Sequence, residues 1–270
     1  MSLNMLGVTN LAAAGGDGEG FKAPEPGEFY QPLVGHGDWA ITRPMVVLAI
    51  SVALIAWFLV ATTRRAAVVP GKGQWVTEGA YNFVRNGVAR DIIGSHDFLK
   101  FVPLLFSMFM LILVNNLFGI IPPVQYPTMS RIGFPIALTL LVFLIYHAVG
   151  IRKNGLGGHL KHMIPPGLPK GIYVLIIPLE LLTYFVTRPL TLALRLFGNM
   201  FAGHMLLLLF ITGGEYMVIH GGLGLKLAGV GSFGMALILT AFEGLIEFLQ
   251  AYIFTLLAAT YIAGSLADEH

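Results

Sequence analysis

The chain has 270 residues, with 16 Lys and Arg against 14 Asp and Glu, and no cysteine. Only 11% of residues are charged and mean hydropathy is +0.78, whereas a soluble domain carries about 25% charged residues. This excludes a soluble globular protein, disulfides and thiolate metal sites. A net charge of +2 without a basic run offers no nucleic-acid surface. A polytopic membrane protein with one membrane domain fits.

Residues 1–43 form the N-terminal tail, with Asp17, Glu19, Glu25, Glu28 and Asp38 against Lys22. It lacks the basic start and apolar core of a signal peptide and the Arg-rich character of a transit peptide. Frequent Gly and Pro predict a mostly irregular, aqueous tail.

Pro44–Thr62 is the first span, uncharged between Arg43 and Arg64-Arg65, and about 20 apolar residues cross a bilayer. Residues 72–93 mix Trp75, Val76, Tyr81, Phe83, Val84, Val88, Ile92 and Ile93 with Lys72, Glu78, Arg85, Arg90 and Asp91. That pattern predicts an interfacial amphipathic helix. Val102–Ile121 is the second span, interrupted by Asn115-Asn116 and ended by Pro122-Pro123, with Pro127 in the loop that follows. Gly133–Ile151 is the third, closed by Arg152-Lys153.

The Gly/Pro-rich segment 154–170 carries His159, Lys161, His162 and Lys170. Two His three apart suit a metal, but no third ligand follows at fixed spacing; a solvated loop is expected. Two longer apolar stretches follow, Ile172–Phe210 and Val230–Leu266, joined by a Gly-rich turn over 212–229. As helices each would run on the order of 55 Å, against a hydrocarbon core of about 30 Å. Pro178 and Pro189 permit bends in the first, but the polar pattern below argues for tilt. No internal repeat is evident.

Lys and Arg crowd the segments after the first and third spans: Arg64, Arg65, Lys72, Arg85, Arg90 and Lys100, then Arg152, Lys153, Lys161 and Lys170. The intervening loops hold Arg131 and Lys226. The positive-inside rule places the N-terminus outside and the 267–270 tail, with Asp268-Glu269-His270, in the cytoplasm.

Arg195 stands out. It lies among apolar residues and no acid occurs within its own or adjacent turns. A guanidinium at mid-bilayer costs about 2.5–3.5 kcal/mol on insertion scales, and it cannot shed its proton. Snorkelling to the headgroups is the bland alternative, but apolar residues continue on both sides, through Leu190–Leu194 and Met205–Phe210. The compensating carboxylate must therefore come from another segment or another protein.

At about 100° per residue, Asn199 shares the face of Arg195, whereas His204 points to the opposite side, about 13 Å further along. Glu180, Thr183, Tyr184, Thr187 and Thr191 form a polar stripe leading towards Arg195. Threonine hydroxyls bonded to carbonyls of their own helix would explain each Thr, but not Glu180. On the last helix Glu243, Glu247 and Gln250 fall within about 60° of one another, with Ser232 and Tyr261 on the same stripe. Two carboxylates one turn apart in a membrane repel when both are ionised, so one holds a proton. A helix-packing seam explains Gln250 but not two acids; a proton pathway explains all three. No nucleotide loop, redox-cofactor signature or nucleophile–base pair is present. The chain thus has no catalytic site of its own, and neither a cofactor nor a metal is expected.

Arg195-Leu196-Phe197-Gly198-Asn199-Met200-Phe201-Ala202-Gly203-His204, preceded by Arg188-Pro189 and followed by the Glu243 to Gln250 helix, resembles the subunit a family of F-type ATP synthases. Asn115-Asn116 with Pro122, and Asn154-Gly155-Leu156-Gly157-Gly158, are similar to that family too; the resemblance covers nearly all of residues 44–266. It implies an all-α membrane protein with five transmembrane helices, one interfacial amphipathic helix, and the last two helices long and strongly tilted. It further implies a stator beside a rotating ring of c subunits, with peripheral-stalk b subunits, the remaining synthase subunits and the bilayer as partners, in a bacterial plasma membrane.

Arg195 matches the family's essential arginine, facing the ring carboxylate and separating two half-channels. His204 and Glu243 match the half-channel open to the outside, with Asn115 or Asn116 contributing. Gln250 and Asn199 belong near Arg195, and Glu180 resembles the acid of the cytoplasmic exit. Position 204 is an acid in some members and Glu243 a His in some of those, so the pair is swapped here. Gly119 stands where some members have an acid. The interval from Glu180 to Pro189 is one residue longer than in the members compared. A proton-coupled secondary transporter is the rival reading, but repeated halves and broken helices around a midplane site are not apparent. A voltage sensor needs a series of Arg, and an intramembrane protease a Ser neighbour for His204.

Overall fold

The computed structural model describes residues 21, 23, 32–34, 41–64, 67–121, 128–164 and 169–266. The charged tail residues named above, Arg65, Pro122-Pro123, Pro127 and Asp268-Glu269-His270 lie outside these. Five helices are long and apolar enough to cross a membrane, as expected. The chain divides into two compact units, Arg43–Phe201 with Ile246–His270, and Met1–Thr42 with Ala202–Leu245. Each is described by itself.

In the larger unit, α1 (Arg43–Thr63) buries only Pro44 and Ser51. A helix apolar on all sides belongs in lipid. The amphipathic segment runs through α2 (Lys72–Val84), a π-helical turn (Arg85–Arg90) and α3 (Asp91–Ile93). Val84, Val88 and Ala89 are buried, while Glu78, Arg90 and Asp91 are exposed. Phe83 packs against Phe109, Phe248 and Tyr252.

Helix α4 (Phe98–Ile120) is the most buried. At its start Lys100 donates to Asp97 at 2.8 Å, and that bond, with His96 beside it, holds the Asp97 carboxyl below its usual range. Val102, Leu105, Phe109, Ile112 and Asn116 recur every three or four residues along its buried face. That stripe meets Leu192 and Leu196 of α7 (Arg188–His220) and Phe254, Ala258 and Ile262 of α8 (Leu223–Leu266) in one core.

Helix α5 (Gly133–His162) corrects the solvated-loop expectation for 154–170. Its regular part ends at Gly155, whose φ of 70° only glycine adopts at little cost. The chain then coils again through residue 162, and His159 returns to the core at 4% exposure. Its ring lies 5.2 Å from that of His147, over Gly150, where any Cβ would collide with it. Periodicity alone cannot reveal such a reversal. The side chains of His162 and Lys170 lie outside the described set.

Helix α6 (Lys170–Leu182) passes through a π-helical turn, Thr183–Thr187, directly into α7. A π turn accommodates one additional residue within a helix, which gives a physical basis for the extra residue between Glu180 and Pro189. Neither Pro178 nor Pro189 breaks the run, which counts 50 residues from Gly171 to His220.

In the smaller unit, Pro32–Val34 (β1) and Ile41–Thr42 (β2) pair antiparallel, a short ribbon that the tail's composition did not suggest. The α7 and α8 portions form a hairpin. The Gly-rich stretch expected to be a turn is helical except at Gly221-Gly222. Its glycines serve packing instead: a Cβ on Gly229 would lie 2.8 Å from the Gly214 carbonyl oxygen. Small residues allow this close approach where lipid offers no hydrophobic drive. Ser232, expected on the polar stripe, donates to the Phe210 carbonyl at 2.7 Å and ties the two helices.

Candidate functional site

Within the larger unit, Arg195 projects from α7 on its exposed side. Among the described residues it makes no ion pair; those found lie at Asp97. One turn on, the Asn199 amide donates to the Gln250 side-chain oxygen at 2.7 Å. Gln250 is buried, and its own amide nitrogen has no hydrogen-bond partner among the described residues.

Glu247 lies one turn before Gln250 on α8 and is 3% exposed. Asn116 of α4 donates to the Glu247 backbone carbonyl at 3.2 Å, fixing the two helices at this level. One turn along α4, Gly119 lacks the side chain that would fill the remaining space. A Cβ there would stand 3.2 Å from Glu247 Oε1 and 3.5 Å from the Met200 sulfur.

The two asparagines part company. Asn115 is fully buried: its Nδ2 donates to Ser51 Oγ at 2.9 Å and to the Leu111 carbonyl at 2.8 Å, and its Oδ1 accepts from Thr128 at 3.0 Å. It joins α1, α4 and the 3₁₀ turn Thr128–Ser130. Asn116 is the one turned to Glu247.

Glu180 on α6 is half-buried and makes no ion pair or side-chain hydrogen bond among the described residues. The threonines of its stripe bond to their own helix: Thr183 to Leu179, Thr187 to Leu182, and Thr191 to Thr187. That is the local role expected for each Thr singly. Tyr184 instead lies beneath Arg188, whose guanidinium carbon is 3.5 Å from the ring centroid. Tyr261 flanks the same cation at 5.3 Å. This aromatic enclosure went unread in the sequence, although the spacing of Tyr184 and Arg188 hints at it.

The smaller unit holds His204 on α7 and Glu243 on α8, both buried. The Glu243 carboxylate is seated over Gly203, where a Cβ would come within 2.8 Å of Oε1. Neither of its oxygens has a hydrogen-bond partner among the described residues. In each unit, then, a buried carboxylate rests on a glycine of a neighbouring helix. The role of Gly119 and Gly203 as seats was not legible from spacing.

An exposed cation in an apolar helix can serve a carboxylate brought by another chain, and buried carboxyls and amides beside it can hold and pass protons. Comparison with known proteins identifies the family. The family model described as ATP synthase A chain matches residues 45–263. The ATP synthase subunit a of a Nocardioides species is 45% identical over 266 residues, covering 94% of this chain and 96% of that protein. That of Pseudarthrobacter chlorophenolicus is 43% identical over 264 residues, covering 96% and 99%. The Streptomyces lividans protein of the same name is 40% identical over 263, covering 94% and 91%. With five apolar spans, a family model over residues 45–263 and relatives similar over more than nine-tenths of its length, the chain belongs to the ATP synthase A chain family.

Proposed function

We propose that the chain is the proton-translocating stator subunit of a bacterial F-type ATP synthase, working against a ring of c subunits. The observation that carries this reading is Arg195: a permanent cation on the exposed side of an apolar helix, without an ion-pair partner among the described residues. An ionised ring carboxylate pairs with it; once protonated, that carboxyl can enter lipid. The same charge repels a proton moving straight from one route to the other.

In this reading His204 and Glu243 form the outer route, and Glu180 serves the cytoplasmic exit. The family resemblance implies Asn115 or Asn116 in the outer route, and the bond of Asn116 to the Glu247 carbonyl favours Asn116. Asn199 and Gln250 belong near Arg195, Glu247 lies one turn before Gln250 on the proton pathway, and Asn115 braces the helices. The buried Glu243 carboxyl oxygens and the Gln250 amide nitrogen, without hydrogen-bond partners among the described residues, suit groups that take up water or protons. Each proton falling through 100 mV delivers about 2.3 kcal/mol, so several are needed per ATP. The chain itself performs no phosphoryl chemistry. Peripheral-stalk b subunits and the other synthase subunits complete the assembly. The N-terminal tail lies outside, the five spans cross the plasma membrane with the last two helices tilted, and the C-terminus is cytoplasmic.

Affinity isolation from mild detergent tests the assembly directly. The expected result is co-isolation of a ring of small two-helix subunits, each with one intramembrane carboxylate. Purified chain that alone exchanges protons for a solute in vesicles would establish the secondary-transporter reading instead.

A further inference from the structure

Glu247 and Gly119 together form a feature that spacing could not show. Gly119 follows Asn116 by one turn on α4, so both face the same stretch of α8. Asn116 holds the backbone there, donating to the Glu247 carbonyl at 3.2 Å. Gly119 leaves open the volume that the Glu247 carboxylate enters, with Oε1 3.2 Å from where a Cβ would be. The Met200 sulfur and methyl, each 3.5 Å from the same point, wall it off. At 3% exposure, the carboxylate has been carried from α8 into the side-chain space of α4.

A carboxylate buried among apolar helices is costly and is retained where it does work. An Asn at position 116 and a Gly at 119 accommodate it; a Cβ at 119 would already crowd Oε1 at 3.2 Å, and a longer side chain would compete for the same volume. We infer that Glu247 is a proton-carrying residue whose carboxyl group stands in for the side chain absent at Gly119, so the acid can be supplied from either helix. In each turnover one oxygen gains a proton and later releases it, returning to the carboxylate. This rests on the proposed proton-translocating function.

The test uses ATP-driven acidification of inverted membrane vesicles containing the whole synthase, with rates normalised to assembled complex. Glu247→Gln keeps the volume and removes the proton; it is expected to slow pumping by about 100-fold. Glu247→Ala should behave alike. Gly119→Asp combined with Glu247→Ala puts carboxylate oxygens two bonds beyond the Cβ position, in the same small volume, and should pump severalfold faster than Glu247→Ala. Gly119→Asn with Glu247→Ala matches its shape without a titratable group and should not recover. Wild-type pumping by Glu247→Gln, or equal rates from the Asp and Asn double variants, overturns the inference. Arg195→Ala in the same vesicles separates the two levels. If that variant is inactive while the double variants are equal, only this inference falls. If it pumps normally, the proposed function falls with it.

Discussion

Asn199 and Gln250 are joined side chain to side chain at 2.7 Å, one turn beyond Arg195. The bond ties α7 to α8 at the level of the arginine. Both partners lie in the larger unit, and Gln250 is buried.

That bond should couple the two positions energetically. Asn199→Ala and Gln250→Ala each remove it, and a net contribution of about 0.5–1.5 kcal/mol is expected. Thermal unfolding of the isolated complex should show the double variant less destabilised than the two single effects added together. Additive effects would mean that the contact carries no net stability.

Gly203 should resist enlargement. In Gly203→Ala the new methyl would stand 2.8 Å from Glu243 Oε1, so the carboxylate must shift, and pumping is expected to drop severalfold with assembly intact. Gly79, where a Cβ meets nothing within 4 Å, supplies the control. Gly79→Ala should pump normally and add up to about 1 kcal/mol of helix stability.

The adjacent asparagines should separate by phenotype. Asn115→Ala removes the side chain that bridges the buried Ser51 and Thr128 hydroxyls. Each hydroxyl keeps a backbone carbonyl, of Leu48 and of residue 115 itself respectively, so the cost is about 0.5–1.5 kcal/mol for each bond lost. Less subunit should reach the membrane, while pumping per assembled complex stays near wild type. Asn116→Ala should do the reverse, lowering pumping per complex. Quantitative immunodetection alongside acidification distinguishes the two.

The π turn at Thr183–Thr187 should tolerate loss of a residue. Deleting Val186, an exposed position within it, lets the turn close as regular α-helix, and most pumping should survive. Deleting Leu190 in the regular part of α7 rotates the preceding residues by about 100° relative to Arg195. That variant should be inactive.

Much of the fold was readable because lipid imposes a long, simple signal: five apolar stretches and one amphipathic segment emerge from composition and period alone. Arg195 was equally legible, since an isolated cation among leucines conflicts with its surroundings. What escaped depends on pairs distant in sequence. Gly155 turns the chain so that His159 returns over Gly150, and nothing local marks a histidine that follows two glycines as buried. The Asn115-Asn116 pair reads as one polar interruption, yet successive residues on a helix face different neighbours. Gly119 and Gly203 matter through what approaches them from another helix, which no period records. The Thr stripe follows the simpler of its two readings: its hydroxyls bond to their own helix, which leaves Glu180 as the group that local bonding does not explain.

The most direct test of the account is ATP-driven acidification by inverted vesicles carrying Arg195→Ala, compared with wild type at equal amounts of assembled complex. If Arg195 receives the ring carboxylate, coupled pumping is lost while the complex remains assembled. Acidification at the wild-type rate would contradict that role and the mechanism built on it.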